Sequence, residues 1–206
     1  MSTMAWRFLH RTINRAGGLR NLDLTWAIRD NISNPEDPDA RQWQPELIVV
    51  DVDNAGVVEE ELWAFWTQNL GITKGTYFAR LKAENGPGQP EWTVEKLDLS
   101  ATPLNPSQGF AFVGANAIQL KAQDSSGSSS RDGCVLVPVT PENETNANIE
   151  NDIAVLYTCN GGMSWSSFPR ITPDPTFDVW EPMLAEHPDS GQIFLYVRNR
   201  NRENSP

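Results

Sequence analysis

From Glu46 to Val197 the chain is a succession of short runs rich in Val, Ile, Leu, Phe, Tyr and Trp, each closed by a cluster of Gly, Pro, Asn, Asp or Ser. A spacing of about ten residues between such runs leaves little room for helices and suits short antiparallel strands joined by turns. The fifteen Pro and fourteen Gly supply the punctuation, since each tends to end or bend a regular element. Residues 46–52, 61–66, 76–81, 93–97, 109–113, 117–121, 134–139, 153–158 and 192–197 read as strands. Asp53-Asn54-Ala55-Gly56 reads as the turn between the first two, and residues 124–132 as a polar Ser/Gly loop. The pattern predicts an all-β fold, and periodicity leaves a sandwich, a barrel and a propeller open.

Only the first twenty residues have helical character. Arg7, Arg11 and Arg15 recur at every fourth position with Trp6, Leu9 and Ile13 between them. That spacing fits a basic amphipathic helix, a targeting leader, or an extension lying on the domain. The expected division is an N-terminal extension over 1–22 and a β domain over 23–206. The apolar stretch near the start is short and broken by His10 and Arg11, so it does not read as a secretory signal.

The formal net charge is −11 although residues 1–21 contain four Arg and no acid. So acidic a surface argues against non-specific nucleic-acid binding, which needs a basic stripe to displace counterions. An anionic ligand would need a local Arg cluster to overcome that field. No apolar run approaches the ~18 residues of a membrane span, so a soluble chain is expected. Nothing in the sequence fixes an oligomeric state.

Cys134 opens one strand-like run and Cys159 closes another, so antiparallel pairing would bring them to the same end. A cross-strand disulfide is geometrically open to them in an oxidising compartment. The expectation is two buried free thiols. No metal-ligand spacing accompanies them, and no cofactor is expected. Asn31-Ile32-Ser33 and Asn143-Glu144-Thr145 fit the glycosylation pattern, which matters only in a secreted chain.

The turns narrow the fold further. Residues 158–165 read Thr-Cys-Asn-Gly-Gly-Met-Ser-Trp. Asn160 can accept hydrogen bonds from turn N–H groups, and Gly161 and Gly162 supply positive φ. A hydroxyl from Thr158 or Ser164 can tie the turn, and Trp165 is expected to fold beneath it into the core, largely buried. A looser copy precedes it: Ala83-Glu84-Asn85-Gly86 followed by Pro90-Glu91-Trp92 keeps the Asn-Gly turn and the trailing Trp. Strand-like residues 116–121 and 133–139 lie before the turn at 158–165. After it, Trp180-Glu181-Pro182-Met183-Leu184-Ala185-Glu186 leads through Pro188-Asp189-Ser190-Gly191 to Phe194-Leu195-Tyr196-Val197-Arg198-Asn199.

In these stretches the chain resembles the sialidase (neuraminidase) superfamily, six-bladed β-propellers with repeated Asp-box turns. The resemblance is close over 110–200 and loose over 40–100. Thr158, Asn160, Gly162, Ser164 and Trp165 are the structural Asp-box positions. At ~40–50 residues per blade the chain accommodates three to four blades. The resemblance implies an exo-α-sialidase-type glycoside hydrolase with a sialoside-type glycan as ligand. In that family a tyrosine replaces the usual carboxylate nucleophile. A Glu raises its nucleophilicity, an Asp is the acid/base, and three Arg clamp the sialic acid carboxylate.

By position Glu181 matches the tyrosine-activating Glu and Arg198 the second clamp Arg. Taken without the resemblance, Glu181 is a solvated strand-edge carboxylate and Arg198 a surface cation near Arg200 and Arg202. The chain also departs from the family. Where an Arg-Ile-Pro motif would open the first blade, it has Arg41-Gln42-Trp43-Gln44-Pro45. No Asp is assignable as acid/base. Tyr77, Tyr157 and Tyr196 hold strand positions that do not match the nucleophile, which the family places in later blades with the third Arg. Two further classes fit: a non-catalytic glycan-binding propeller, and another glycan-active propeller such as an exo-arabinanase or polysaccharide lyase. The number of convergent Arg separates them.

Overall fold

A computed structural model describes residues 6–13, 24–32, 42–54, 57–68, 74–82, 92–106, 109–120, 133–142, 152–171 and 177–201. Among these the chain is all-β, with antiparallel sheets and one 3-10 turn at Leu99–Ala101. No helix of the described residues is long and apolar enough to cross a membrane. The Ser/Gly loop at 124–132, the looser turn at 83–86 and the Asn143 triplet lie outside the described residues.

Strand β1 (Trp6–Ile13) pairs antiparallel with β2 (Leu24–Ile32). Over residues 6–13 this corrects the helical expectation; the rest of the first twenty lie outside the described residues. A four-residue spacing is close to one helical turn, but it is also an even number of strand steps, so it marks one face in either conformation. Trp6, Phe8, Thr12 and Ile13 are of the aromatic and β-branched types that strands favour.

A second sheet is a simple meander of β3 (Gln42–Asn54), β4 (Val57–Gln68), β5 (Gly75–Lys82) and β6 (Trp92–Lys96), in that order. A third sheet follows, from β7 (Ala111–Val113), β8 (Ile118–Gln119), β9 (Val135–Pro141), β10 (Ala154–Thr158) and β11 (Ser166–Ser167). Its order is β11-β10-β9-β7, with β8 also pairing β9. The hairpin of β12 (Phe177–Glu186) and β13 (Ile193–Asn201) completes the described chain.

The second and third sheets share one core. Trp63 and Phe65 from β4 and Phe78 from β5 meet Val135, Val137 and Val139 from β9 and Leu156 from β10. Leu97, Leu99 and Leu104, from the segment joining the two sheets, close it. Every residue of β9 is buried, because its other face carries Leu136 against Val155 and Leu184 of β12. Two buried hydroxyls fasten β7 to the preceding sheet. Thr67 and Thr76 donate to the Ala111 carbonyl at 3.0 and 2.8 Å. They accept from the Val113 and Ala111 N–H groups, both at 2.9 Å. Those hydroxyls satisfy strand-edge groups that burial would otherwise leave unpaired.

The turn after β10 has the bonding its composition predicts. Thr158 Oγ1 donates to Asn160 Oδ1 at 2.9 Å and accepts from the Gly162 N–H at 3.1 Å. Asn160 Oδ1 accepts the Ser164 N–H at 3.0 Å, and Asn160 Nδ2 donates to Ser164 Oγ at 2.7 Å. Gly161 and Gly162 have φ of +67° and +81°. Gly162 also lies flush on the core, since a Cβ there would stand 2.8 Å from the Phe78 ring. Trp165 packs against the core as expected and keeps some exposure. Its ring meets Phe78 and Phe65 edge-on, at 5.4 and 5.6 Å between centroids.

Strands β9 and β10 pair antiparallel, with Val135 opposite Thr158 at the end of the ladder. The next residues outward, Cys134 and Cys159, form a disulfide with Cα atoms 4.1 Å apart. The expected pair of free thiols is therefore corrected. The register that makes the bridge possible is the one the sequence implied.

Two outcomes are expected. Trp165→Ala lowers stability by about 3 kcal/mol, the low end for a large aromatic because the ring keeps some exposure. Urea unfolding checks it, and a loss under about 1 kcal/mol would mean the ring does not pack as described. Replacing both cysteines by Ser lowers stability by about 2–4 kcal/mol, read as a fall in the midpoint of thermal unfolding.

Candidate functional site

Hairpin β12–β13 turns on residues 187–192. The His187 N–H donates to the Gln192 carbonyl at 2.8 Å and the Gly191 N–H to the His187 carbonyl at 2.9 Å. His187 Nδ1 accepts the Asp189 and Ser190 N–H groups, each at 3.3 Å. From this turn the register runs Glu186 opposite Ile193 to Met183 opposite Tyr196, then resumes with Trp180 opposite Arg198. Glu181 and Pro182 therefore face Val197 alone, a β-bulge. Glu181 sits in it with φ +50°, a left-handed conformation that costs a non-glycine residue about 1–3 kcal/mol.

Strand alternation sorts the side chains of β13. Ile193 and Leu195 pack toward Leu136, Val155 and Leu184. Phe194, Tyr196 and Arg198 lie on the opposite face. Phe194 is 42% and Tyr196 54% exposed, with ring centroids 6.3 Å apart. At the end of this row Arg198 Nη1 donates to Glu181 Oε2 at 3.1 Å, with the two side chains 67% and 50% exposed. An ion pair so open to water contributes at most about 1 kcal/mol. The contact uses one of the five guanidinium N–H groups. The guanidinium makes no other hydrogen bond among the described residues.

The two residues picked out by position, Glu181 and Arg198, are thus brought together. Thr158, Asn160, Gly162, Ser164 and Trp165 are also brought together, in a turn whose polar groups bond to one another. The place expected for a first clamp Arg divides: Arg41 lies outside the described residues, while Gln42 and Trp43 begin β3. Of the tyrosines, Tyr77 is buried and stacked on Trp66 at 5.5 Å, and Tyr157 packs against Phe168 at 4.9 Å. Tyr196 is the exposed one. Over the disulfide lies a cleft of about 50 Å³ among Leu120, Leu136, Tyr157 and Phe168. Ligand pockets start near ~300 Å³, so the open hairpin face is the better candidate.

Glu46 and Arg80 carried no signal in the sequence. Glu46 follows a bulge in β3 and accepts the Ala117 N–H at 3.0 Å. Burial raises its pKa above the ordinary 4.5, against the opposing pull of hydrogen bonds from the Ala117 and Asn116 backbone. Arg80 bridges sheets: it donates to the Gly161 carbonyl at 3.1 Å and pairs with Glu95 at 2.9 Å. Both are charged residues inside strand runs, where neither periodicity nor turn chemistry marks a partner.

No protein-family model matches the chain, and no curated protein matches its sequence.

The raised pKa of Glu46 predicts a pH dependence. Between the unfolded and folded pKa values the folded chain holds the proton more tightly, so this residue's contribution is present at low pH and lost as pH rises through the folded value. Glu46→Gln keeps an acceptor for Ala117 and removes the buried charge. Its stability relative to wild type should therefore rise between about pH 4 and about pH 7, followed by urea unfolding. A difference that is flat across that range would show that Glu46 titrates alike folded and unfolded.

Proposed function

We propose that the chain is a portion of a sialidase-type β-propeller acting on sialic acid-bearing glycans, with Arg198 as a carboxylate clamp and Glu181 as its neighbour in the site. Consecutive antiparallel sheets, one of them a four-stranded meander, support the propeller reading. The hydrogen-bonded turn at 158–165 supports membership of the Asp-box group. The observation that carries the functional reading is the Glu181–Arg198 contact across the β12–β13 hairpin. A planar guanidinium with N–H groups to spare offers a carboxylate two parallel charge-assisted bonds. It does so within an otherwise acidic chain, where an isolated cation on the surface would have no such partner geometry.

In the sialidase reading Glu181 serves a tyrosine, and the resemblance matches none of Tyr77, Tyr157 and Tyr196 to that role. The 206-residue chain is accordingly proposed to bind a sialic acid weakly and not to hydrolyse sialosides. A second reading, a glycan-binding propeller without catalysis, is favoured by the exposed Phe194–Tyr196 row leading to Arg198. Aromatic faces of that kind suit the apolar face of a sugar ring.

A fluorogenic sialoside should give background rates with this chain. N-acetylneuraminate should bind with Kd on the order of 1 mM, weaken with Arg198→Lys and vanish with Arg198→Ala. Binding indifferent to Arg198→Ala would remove the clamp. Turnover by the chain alone would overturn the proposed inactivity.

A further inference from the structure

Behind the bulge that carries Glu181 runs the segment Gly114-Ala115-Asn116-Ala117. A Cβ on Gly114 would run into the Pro182 carbonyl oxygen and stand 2.9 Å from Pro182 Cγ. The nearest obstacle is backbone, which cannot swing aside as a side chain does. Ala115 donates its N–H to that same carbonyl at 2.9 Å and accepts the Leu184 N–H at 3.3 Å. Ala115 and Met183 thereby form a parallel bridge. The segment is fixed from its other end as well, where Ala117 donates to the Glu46 carboxylate at 3.0 Å.

The direction of the Glu181 side chain depends on this contact. In an unbulged ladder Arg198 shares a face with its partner Trp180, and the next residue along points to the opposite face. Glu181 reaches Arg198 because the bulge and the positive φ turn it back. A non-glycine residue holds that backbone only where its surroundings impose it, and the proline that follows adds to the cost, because a residue before proline favours extended backbone.

We propose that Gly114 is a positioning residue for the Glu181–Arg198 pair: the missing side chain lets the Ala115 N–H capture the Pro182 carbonyl, and that capture holds Glu181 in the conformation that meets Arg198. The identity of the ligand rests on the sialic acid reading above, whereas the positioning role rests on the backbone contacts alone.

The test is Gly114→Ala in the whole chain, followed by NMR. The HN–Hα coupling and Cα shift of Glu181 should lose their left-handed values. The Arg198 guanidinium signals should move to those of Glu181→Ala, while the Gly161, Gly162 and Ser164 amides stay in place. Gly109→Ala is the control: Gly109 has φ +72° and nothing within 4 Å of its Cβ position, so Glu181 and Arg198 should not respond. N-acetylneuraminate should bind the Gly114→Ala chain roughly tenfold more weakly, the loss expected for one charge-assisted contact.

A folded Gly114→Ala chain with unchanged Glu181 and Arg198 signals overturns the proposal, whereas unchanged sugar binding with the pair dissolved overturns only the glycan reading. If wild type ignores the sugar while Gly114→Ala still dissolves the pair, the glycan reading fails and the positioning role stands. If Gly114→Ala does not fold, hydrogen exchange in wild type decides. Protection of the Ala115 amide comparable to β9 is expected, and exchange at the rate of an exposed amide overturns the capture.

Discussion

Two sheets and a turn meet on the ring of Phe78. Trp63 lies edge-on to it at 4.8 Å, Phe65 stacks on it at 5.2 Å, and Trp165 closes from the turn at 5.4 Å. Gly162 rests against the same ring with no room for a methyl group. Large aromatics at these spacings contribute beyond their buried area, because edge and face carry opposite partial charge. The cluster is also where the hydrogen-bonded turn stops being local. The Gly161 carbonyl accepts from Arg80, whose guanidinium stands 5.6 Å from the Phe78 ring centre. A turn built for its own backbone thus becomes the joint between neighbouring sheets, and β9 to β11 take their place from it.

From that joint the constraint passes outward through backbone rather than side chains. Strand β7 is bound to the preceding sheet by Thr67 and Thr76, and the residues directly after it receive the β12 bulge at Pro182. The hairpin bearing Glu181 and Arg198 is therefore referred to the first meander sheet through a short run of small residues. This arrangement suits a site on an open hairpin. Side chains there can remain solvated while the main chain beneath them has few alternatives.

The all-β class and the antiparallel pairing of β9 with β10 were legible because alternation and turn chemistry are local signals. The same holds for the turn at 158–165: Thr158, Asn160, Gly162 and Ser164 bond to one another, so their spacing carries the whole arrangement. Glu181 and Arg198 could be picked out by their place in a longer pattern, but their contact depends on a bulge that pairing alone reveals. Residues 6–13 misled because a period of four satisfies helix and strand alike. Gly114 stayed hidden for a different reason. It needs no positive φ and marks no turn, and its requirement for a bare backbone comes from a carbonyl 68 positions further along the chain. The thiol state of Cys134 and Cys159 was ambiguous because antiparallel register brings them together whether or not they are oxidised.

The disulfide has a consequence for how the molecule is made. Its cysteines are 25 residues apart, and strands β9 and β10 lie entirely between them. During synthesis at about 5–20 residues per second, the second thiol follows the first within seconds. Hairpin β12–β13, which packs on the face of that sheet, is still unmade. Oxidation at this stage would lock the two strands in register before their apolar outer face is covered. A host that oxidises thiols as the chain emerges should therefore yield a different distribution of folded product from one that oxidises only after release, although the final covalent structure is the same.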